Sequence, residues 1–149
     1  MREILFKAKR IDNGEWIEGS LIDLDIDSGY CYIVQPYKKA SILPIIFLIT
    51  DRMKLVDPET LCQFTGLCDK NGNKIWENDI LKTRPDKYAQ VKFGLYNTGS
   101  AISKYNQGFY VAFLENSYYR QELGYWCEES YVRGNIFDNP ELLQEESDE

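Results

Sequence analysis

The chain has 149 residues, 17 Lys and Arg against 24 Asp and Glu, a net charge of −7, and no histidine. That length suits one ordinary domain, or two small β modules sharing a core, and it can hold together without staples. The missing imidazoles exclude Ser-His and Cys-His catalysis, ordinary zinc hydrolase sites and imidazole acid–base work, while the acidic balance argues against a broad nucleic-acid footprint.

Eleven Tyr, seven Phe and three Trp favour strands over helices. The cysteines, Cys31, Cys62, Cys68 and Cys127, form no C-x-x-C pair, and no signal peptide precedes them. Reduced cytosolic thiols, used as small core residues, are therefore expected for all four. The most apolar run, residues 42–49, is about half of the ~20 residues a spanning helix needs, and Pro44 interrupts it.

In chain order, residues 2–10 and 16–24 flank Asp12-Asn13-Gly14, a hairpin signal. Ile22, Leu24 and Ile26 then share one face of a two-residue period, and Asp23, Asp25 and Asp27 share the other. Those carboxylates resemble the start of a calcium loop but lack its following Gly and closing Glu, so a solvated strand face ending at Ser28-Gly29 is expected. Residues 30–36 read as a strand with Tyr30, Tyr32 and Val34 on one side. Residues 37–39 form a polar connection, and residues 42–49 a strand without alternation. Pro58 cannot sit in a central strand and marks a soft boundary. It separates an N-terminal antiparallel β module, residues 1–57, from a second unit, residues 58–143. Residues 144–149 form an acidic tail expected to be disordered.

Residues 62–82 hold the densest turn chemistry. Asp69-Lys70-Asn71-Gly72 lies between apolar-containing runs, and Asn-Gly there predicts a hairpin because both residues tolerate positive φ. Gly66 predicts a bulge or a close approach of another strand. Glu77-Asn78-Asp79 reads as a tight corner with Asn78 left-handed. Strands follow at residues 80–83 and 89–96. A polar segment from Asn97 to Gly108 then forms a connection of near ten residues, a length that marks a mobile or functional loop. Further strands are predicted at 109–114, over Tyr125-Trp126-Cys127 and at 131–137. Residues 116–124 read as a helical turn or a long hairpin tip. Asp138-Asn139-Pro140-Glu141 is a helix-start pattern too short for a long helix.

The run Gln63-Phe64-Thr65-Gly66-Leu67-x-Asp69-Lys70-Asn71-Gly72, continued by Ile75, Glu77, Asp79 and Ile80, resembles the signature of the YopX family of phages and prophages. The opening, with Met1-Arg2-Glu3-Ile4 and Gly14-Glu15-Trp16-Ile17, is also similar, as are residues 56–60 and the ending Gly134-Asn135-Ile136-x-x-Asn139-Pro140-Glu141-Leu142-Leu143. Cys62, Cys68 and Asn78 depart from the family pattern, which has Gly, Lys and Gly there. Asn for Gly keeps the left-handed preference. The resemblance implies a mainly β fold with a small SH3-like β-barrel in the second half, few short helices, and no established activity. Gln63, Gly66, Asp69, Asn71, Gly72, Glu77, Asp79, Gly134, Asn135 and Pro140 are read as a structural signature, with backbone reasons for the Asp, Asn and Gly positions.

No nucleotide-cradling glycine motif is present, and neither a metal nor a cofactor is expected. The carboxylate pairs Glu77 with Asp79 and Glu128 with Glu129 read as a turn-ordering pair and a solvated surface, so no enzyme activity is expected. Aromatics cluster in the second half with basic residues interleaved. Tyr105, Phe109, Tyr118, Tyr119, Arg120 and Trp126 are the candidate interaction surface. Two uses are open: protein contacts, chiefly a homo-oligomer or an unidentified phage or host protein, and base stacking in a nucleic-acid-binding module. The net charge favours protein contacts, giving a non-enzymatic accessory protein of the host bacterial cytoplasm.

Overall fold

The computed structural model describes residues 1–36, 52–84, 86–100, 102, 104–114 and 120–144. The expectations for residues 37–39, 42–49 and 145–149 lie outside them. The chain divides into two compact units, Met1–Phe64 and Thr65–Glu149. Strands dominate both, and every described pairing is antiparallel.

In the first unit β1 (Phe6–Lys9), β2 (Trp16–Asp25), β3 (Tyr30–Val34) and β4 (Met53–Leu55) form a sheet. Its order is β4-β3-β2-β1, followed by β5 (Cys62–Cys68). The β1–β2 hairpin turns where the Asn-Gly pair predicts it: Gly14 takes φ 71° and donates its N–H to the Arg10 carbonyl. Ala8, Ile17, Cys31, Ile33 and Val56 form the core. The two-residue period of β2 stops short of Asp27. Asp23 and Asp25 accept the backbone N–H groups of Ile26 and Ser28, fold residues 26–28 into a 3₁₀ turn, and leave Leu24 exposed. These carboxylates cap a turn, as Asp side chains commonly do. Asp57 does the same for the 3₁₀ turn Pro58–Thr60, accepting from Glu59 N–H.

The first half of β5 pairs with β1, Phe6 opposite Gln63 and Lys7 opposite Cys62. In the second unit Thr65 donates its hydroxyl to the Ile75 carbonyl of β6 (Lys74–Trp76) at 2.7 Å. A four-stranded sheet follows, made of β7 (Asp79–Thr83), β8 (Lys87–Asn97), β9 (Tyr105–Phe113) and β10 (Tyr131–Asn135), ordered β10-β7-β8-β9. The mainly-β expectation holds. Among the described residues the strand order ends at β10 and β9 without closing a ring, and single bridges from Thr98 to Arg120 and from Tyr110 to Glu122 continue past β9. Leu81, Ala89, Val91 and Val111 of the sheet pack with Ile75, Leu123, Trp126 and Cys127, all in one core cluster.

Four sequence expectations change here. Residues 125–127 are not a strand. Leu123–Trp126 is a helical turn, α1, that runs into a 3₁₀ turn over Cys127–Glu129. Leu123 and Trp126, one turn apart, share the buried side, and the Trp126 carbonyl accepts the Ser130 hydroxyl at 2.7 Å. The polar segment is shorter than expected, because β9 already begins at Tyr105. Cys31, Cys62 and Cys127 are core residues, whereas Cys68, at the end of β5, is exposed. Residues Pro140–Leu143 make only a 3₁₀ turn, and Asn139 does not cap it with its side chain. That side chain instead accepts from Asn135 N–H.

Candidate interaction surface

The signature hairpin is held by one carboxylate. Asp69 is buried and accepts the backbone N–H groups of Asn71, Asn73 and Val132, each at 2.9 Å. Gly72 takes φ 82° and donates to the Asp69 carbonyl, while Asn71 keeps an ordinary φ. This is a type I turn closed by a left-handed glycine, the three-residue alternative to the two-residue Asn-Gly turn. Burial by itself pushes the Asp69 carboxyl up, but the hydrogen bonds from Val132, Asn73 and Asn71 outweigh it and hold the group below its usual value. Gly66 takes φ 85° and Asn78 φ 69°, the left-handed corner expected of it.

Asp79 is buried and accepts Trp76 N–H at 2.8 Å, so it orders the corner. Burial pushes the half-exposed Glu77 carboxyl up. Gln63 lies on β5 opposite Phe6, and Pro140 opens the last 3₁₀ turn. Gly134 sits at a bulge of β10 against Asn139, where a Cβ would strike the Asn139 side chain. Asn135 accepts Phe137 and Asp138 N–H through its side-chain oxygen. The side chains of Asp69, Asp79 and Asn135 thus all serve the backbone. Glu128 and Glu129 are exposed, and among the described residues no group of three or more Cys, Asp or Glu stands close enough to hold a metal.

The candidate surface residues separate. Tyr105 is 60% exposed. Phe109 is half-buried against the core cluster. Trp126 is only 7% exposed and belongs to the core; its indole N–H donates to the Arg120 carbonyl at 2.8 Å. Arg120 is exposed, ion-paired to Glu122 at 3.2 Å and laid over the Tyr125 ring at 4.2 Å. Tyr118 and Tyr119 lie outside the described residues.

What the sequence reading missed is the outer half of the β8–β9 ribbon. β7 pairs only with Lys87 to Gln90 of β8, whereas β8 and β9 pair with each other from Ala89–Phe113 out to Asn97–Tyr105. Paired residues share a face. On the face that carries the buried Ala89, Val91 and Val111 there follow Phe93 with Phe109, Leu95 with Gln107, and Asn97 with Tyr105. Past the end of β7 the core no longer covers that face, so Phe93 is 54% and Leu95 72% exposed. Phe93 and Phe109 meet edge to face at 5.1 Å, which stiffens the row. The opposite face is closed by its own rings: Tyr96 is buried, stacks with Tyr110 at 6.0 Å, and its hydroxyl accepts from Asn106. The alternation of residues 91–95 was the available signal, since Val91, Phe93 and Leu95 share one face.

Comparison with known proteins fits this architecture. The sequence model of the YopX protein family matches residues 5–144. The chain belongs to the YopX family. No curated protein matches it. Among solved structures it is similar to protein EF1440 from Enterococcus faecalis, with 21% identity, a TM-score of 0.50, and coverage of 96% of this chain and 99% of that one. At that identity the likeness speaks for the fold alone. Among the described residues no helix is long and apolar enough to cross a membrane.

Proposed function

We propose that this YopX-family protein is a non-enzymatic accessory protein of phage or prophage origin that works by self-association through the β8–β9 ribbon. The observation that carries the reading is the row Phe93, Leu95 and Tyr105, exposed on a face that is core one pair further along. Contiguous exposed apolar rows on otherwise polar proteins mark contact sites. A second copy suits the row because its described members, Phe93, Leu95, Asn97, Tyr105, Gln107 and Phe109, carry no charge, whereas the chain as a whole carries −7. Two such chains meet with least repulsion on this face.

Sedimentation or light scattering of the wild-type chain at about 100 μM, far above a micromolar dissociation constant, is expected to show a dimer or larger species. Phe93→Ser combined with Leu95→Asn is expected to shift it to monomer with unchanged circular dichroism. A wild-type monomer, or an oligomer that the double substitution leaves intact, overturns the reading. Salt-dependent binding of single-stranded DNA that the same double substitution abolishes would favour the stacking alternative instead.

A further inference from the structure

The second unit carries a cluster of cations that the ribbon does not use. Tyr131, Lys82 and Tyr88 stand in register across β10, β7 and β8, so a lysine lies between two tyrosines on one face of the sheet. Lys82 Nζ is 5.4 Å from the centre of the Tyr88 ring. Lys70, from the β5–β6 turn, places its Nζ 4.8 Å from the centre of the Tyr131 ring. Lys70, Lys82, Arg84 and Tyr131 line a cleft of about 270 Å³, with Asp86 and Glu129 as its acidic members.

We infer that this cleft binds a phosphate group, either free phosphate or the terminal phosphate of a nucleotide. Three cations against two carboxylates give a locally positive site in a chain of net charge −7. The clustering therefore runs against the composition. Lys82 is paired with Asp86 at 2.8 Å, but the Asp86 side chain is 80% exposed. Exposed pairs contribute little, so a dianion displaces this carboxylate at small cost and brings twice the charge. Arg84 has no ion-pair partner among the described residues, which leaves its fork of donors for two phosphate oxygens. The rings of Tyr131 and Tyr88 hold the two ammonium groups in place by cation–π contact. The cleft is smaller than the roughly 300–1,000 Å³ of sites that enclose a drug-sized ligand, so it takes the phosphate end of a molecule rather than the whole of one.

The test is an amide chemical-shift titration of the full chain with sodium phosphate, then with adenosine monophosphate, at about pH 7.5 and constant low ionic strength. Saturable shifts are expected at Lys70, Lys82, Thr83, Arg84, Asp86 and Tyr131, with a dissociation constant in about the millimolar range. Arg84→Gln is expected to weaken binding about three- to tenfold, and Lys70→Gln with Arg84→Gln to abolish it. Lys70 and Arg84 are exposed, and the variant's own spectrum reports that the fold is kept. Tighter binding of the nucleotide, with added shifts at Tyr88 or Tyr131, assigns the site to nucleotides; equal affinity assigns it to free phosphate. No saturable shift at about 20 mM of either probe, or shifts that survive the double substitution, overturns the inference.

Discussion

Replacing Asp69 by Ala tests how much of the second unit hangs on a single carboxylate. The substitution strips the acceptor from three amides at 2.9 Å. Asn71 and Asn73 are exposed, so their N–H groups turn to water and lose about 1 kcal/mol each at most. Val132 is half-buried and sits 63 positions away on β10, so its N–H is left poorly satisfied at about 1–3 kcal/mol. The expected loss is about 3–4 kcal/mol, roughly a third of the stability of an ordinary domain. At about 2–4 °C per kcal/mol, the melting temperature falls by about 6–16 °C. Asp69→Asn keeps one acceptor oxygen and sets an amide donor against the other hydrogens, and it costs about 2 kcal/mol. The pH dependence follows from the depressed carboxyl. Its folded value lies below its unfolded one, so the stabilisation is complete above the unfolded value, near 3.9, and drains away as pH falls through the folded value. Urea unfolding followed by circular dichroism from about pH 7 down to pH 3 should therefore show a wild-type advantage that is flat above about pH 5 and narrows below 4. A loss under about 1 kcal/mol at pH 7, or an advantage indifferent to acid, refutes the assignment of Asp69 as the clasp.

Gly134→Ala should cost about 1–3 kcal/mol, because the new Cβ meets the Asn139 side chain. In an Asn139→Gly background most of that cost should vanish; a double-mutant cycle in urea with coupling under about 0.5 kcal/mol would contradict this. Glu77→Gln should raise the melting temperature at about pH 8 and have no effect near pH 4, below the normal glutamate value. Burial lifts the folded Glu77 carboxyl above its unfolded value, so the ionised form weakens the fold, and that cost builds up as pH rises past the unfolded value and is complete above the folded one. A variant less stable than wild type at both values would show that Glu77 makes a contact the burial argument ignores.

The residues themselves determine the turns. Gly14, Gly72 and Asn78 adopt the left-handed backbone that their types favour, and Asp23, Asp25, Asp57 and Asp69 cap N–H groups within four positions, all of it chemistry confined to neighbours in the chain. Strand content and the family were legible for the same reason, since alternation and turn residues are local. Distant pairing decided the rest. Asp69 reaches Val132, Trp126 turns inward on a helical turn that neighbours Arg120, and three tyrosine and lysine positions from β10, β7 and β8 fall into one row. Pro58 marks a break by its fixed φ, yet contacts divide the chain inside β5, whose first half pairs with β1. Exposure of Phe93 and Leu95 was likewise settled by tertiary structure: the pairing of β7 with β8 ends at Gln90, and beyond that point the apolar face of β8 changes from core into surface.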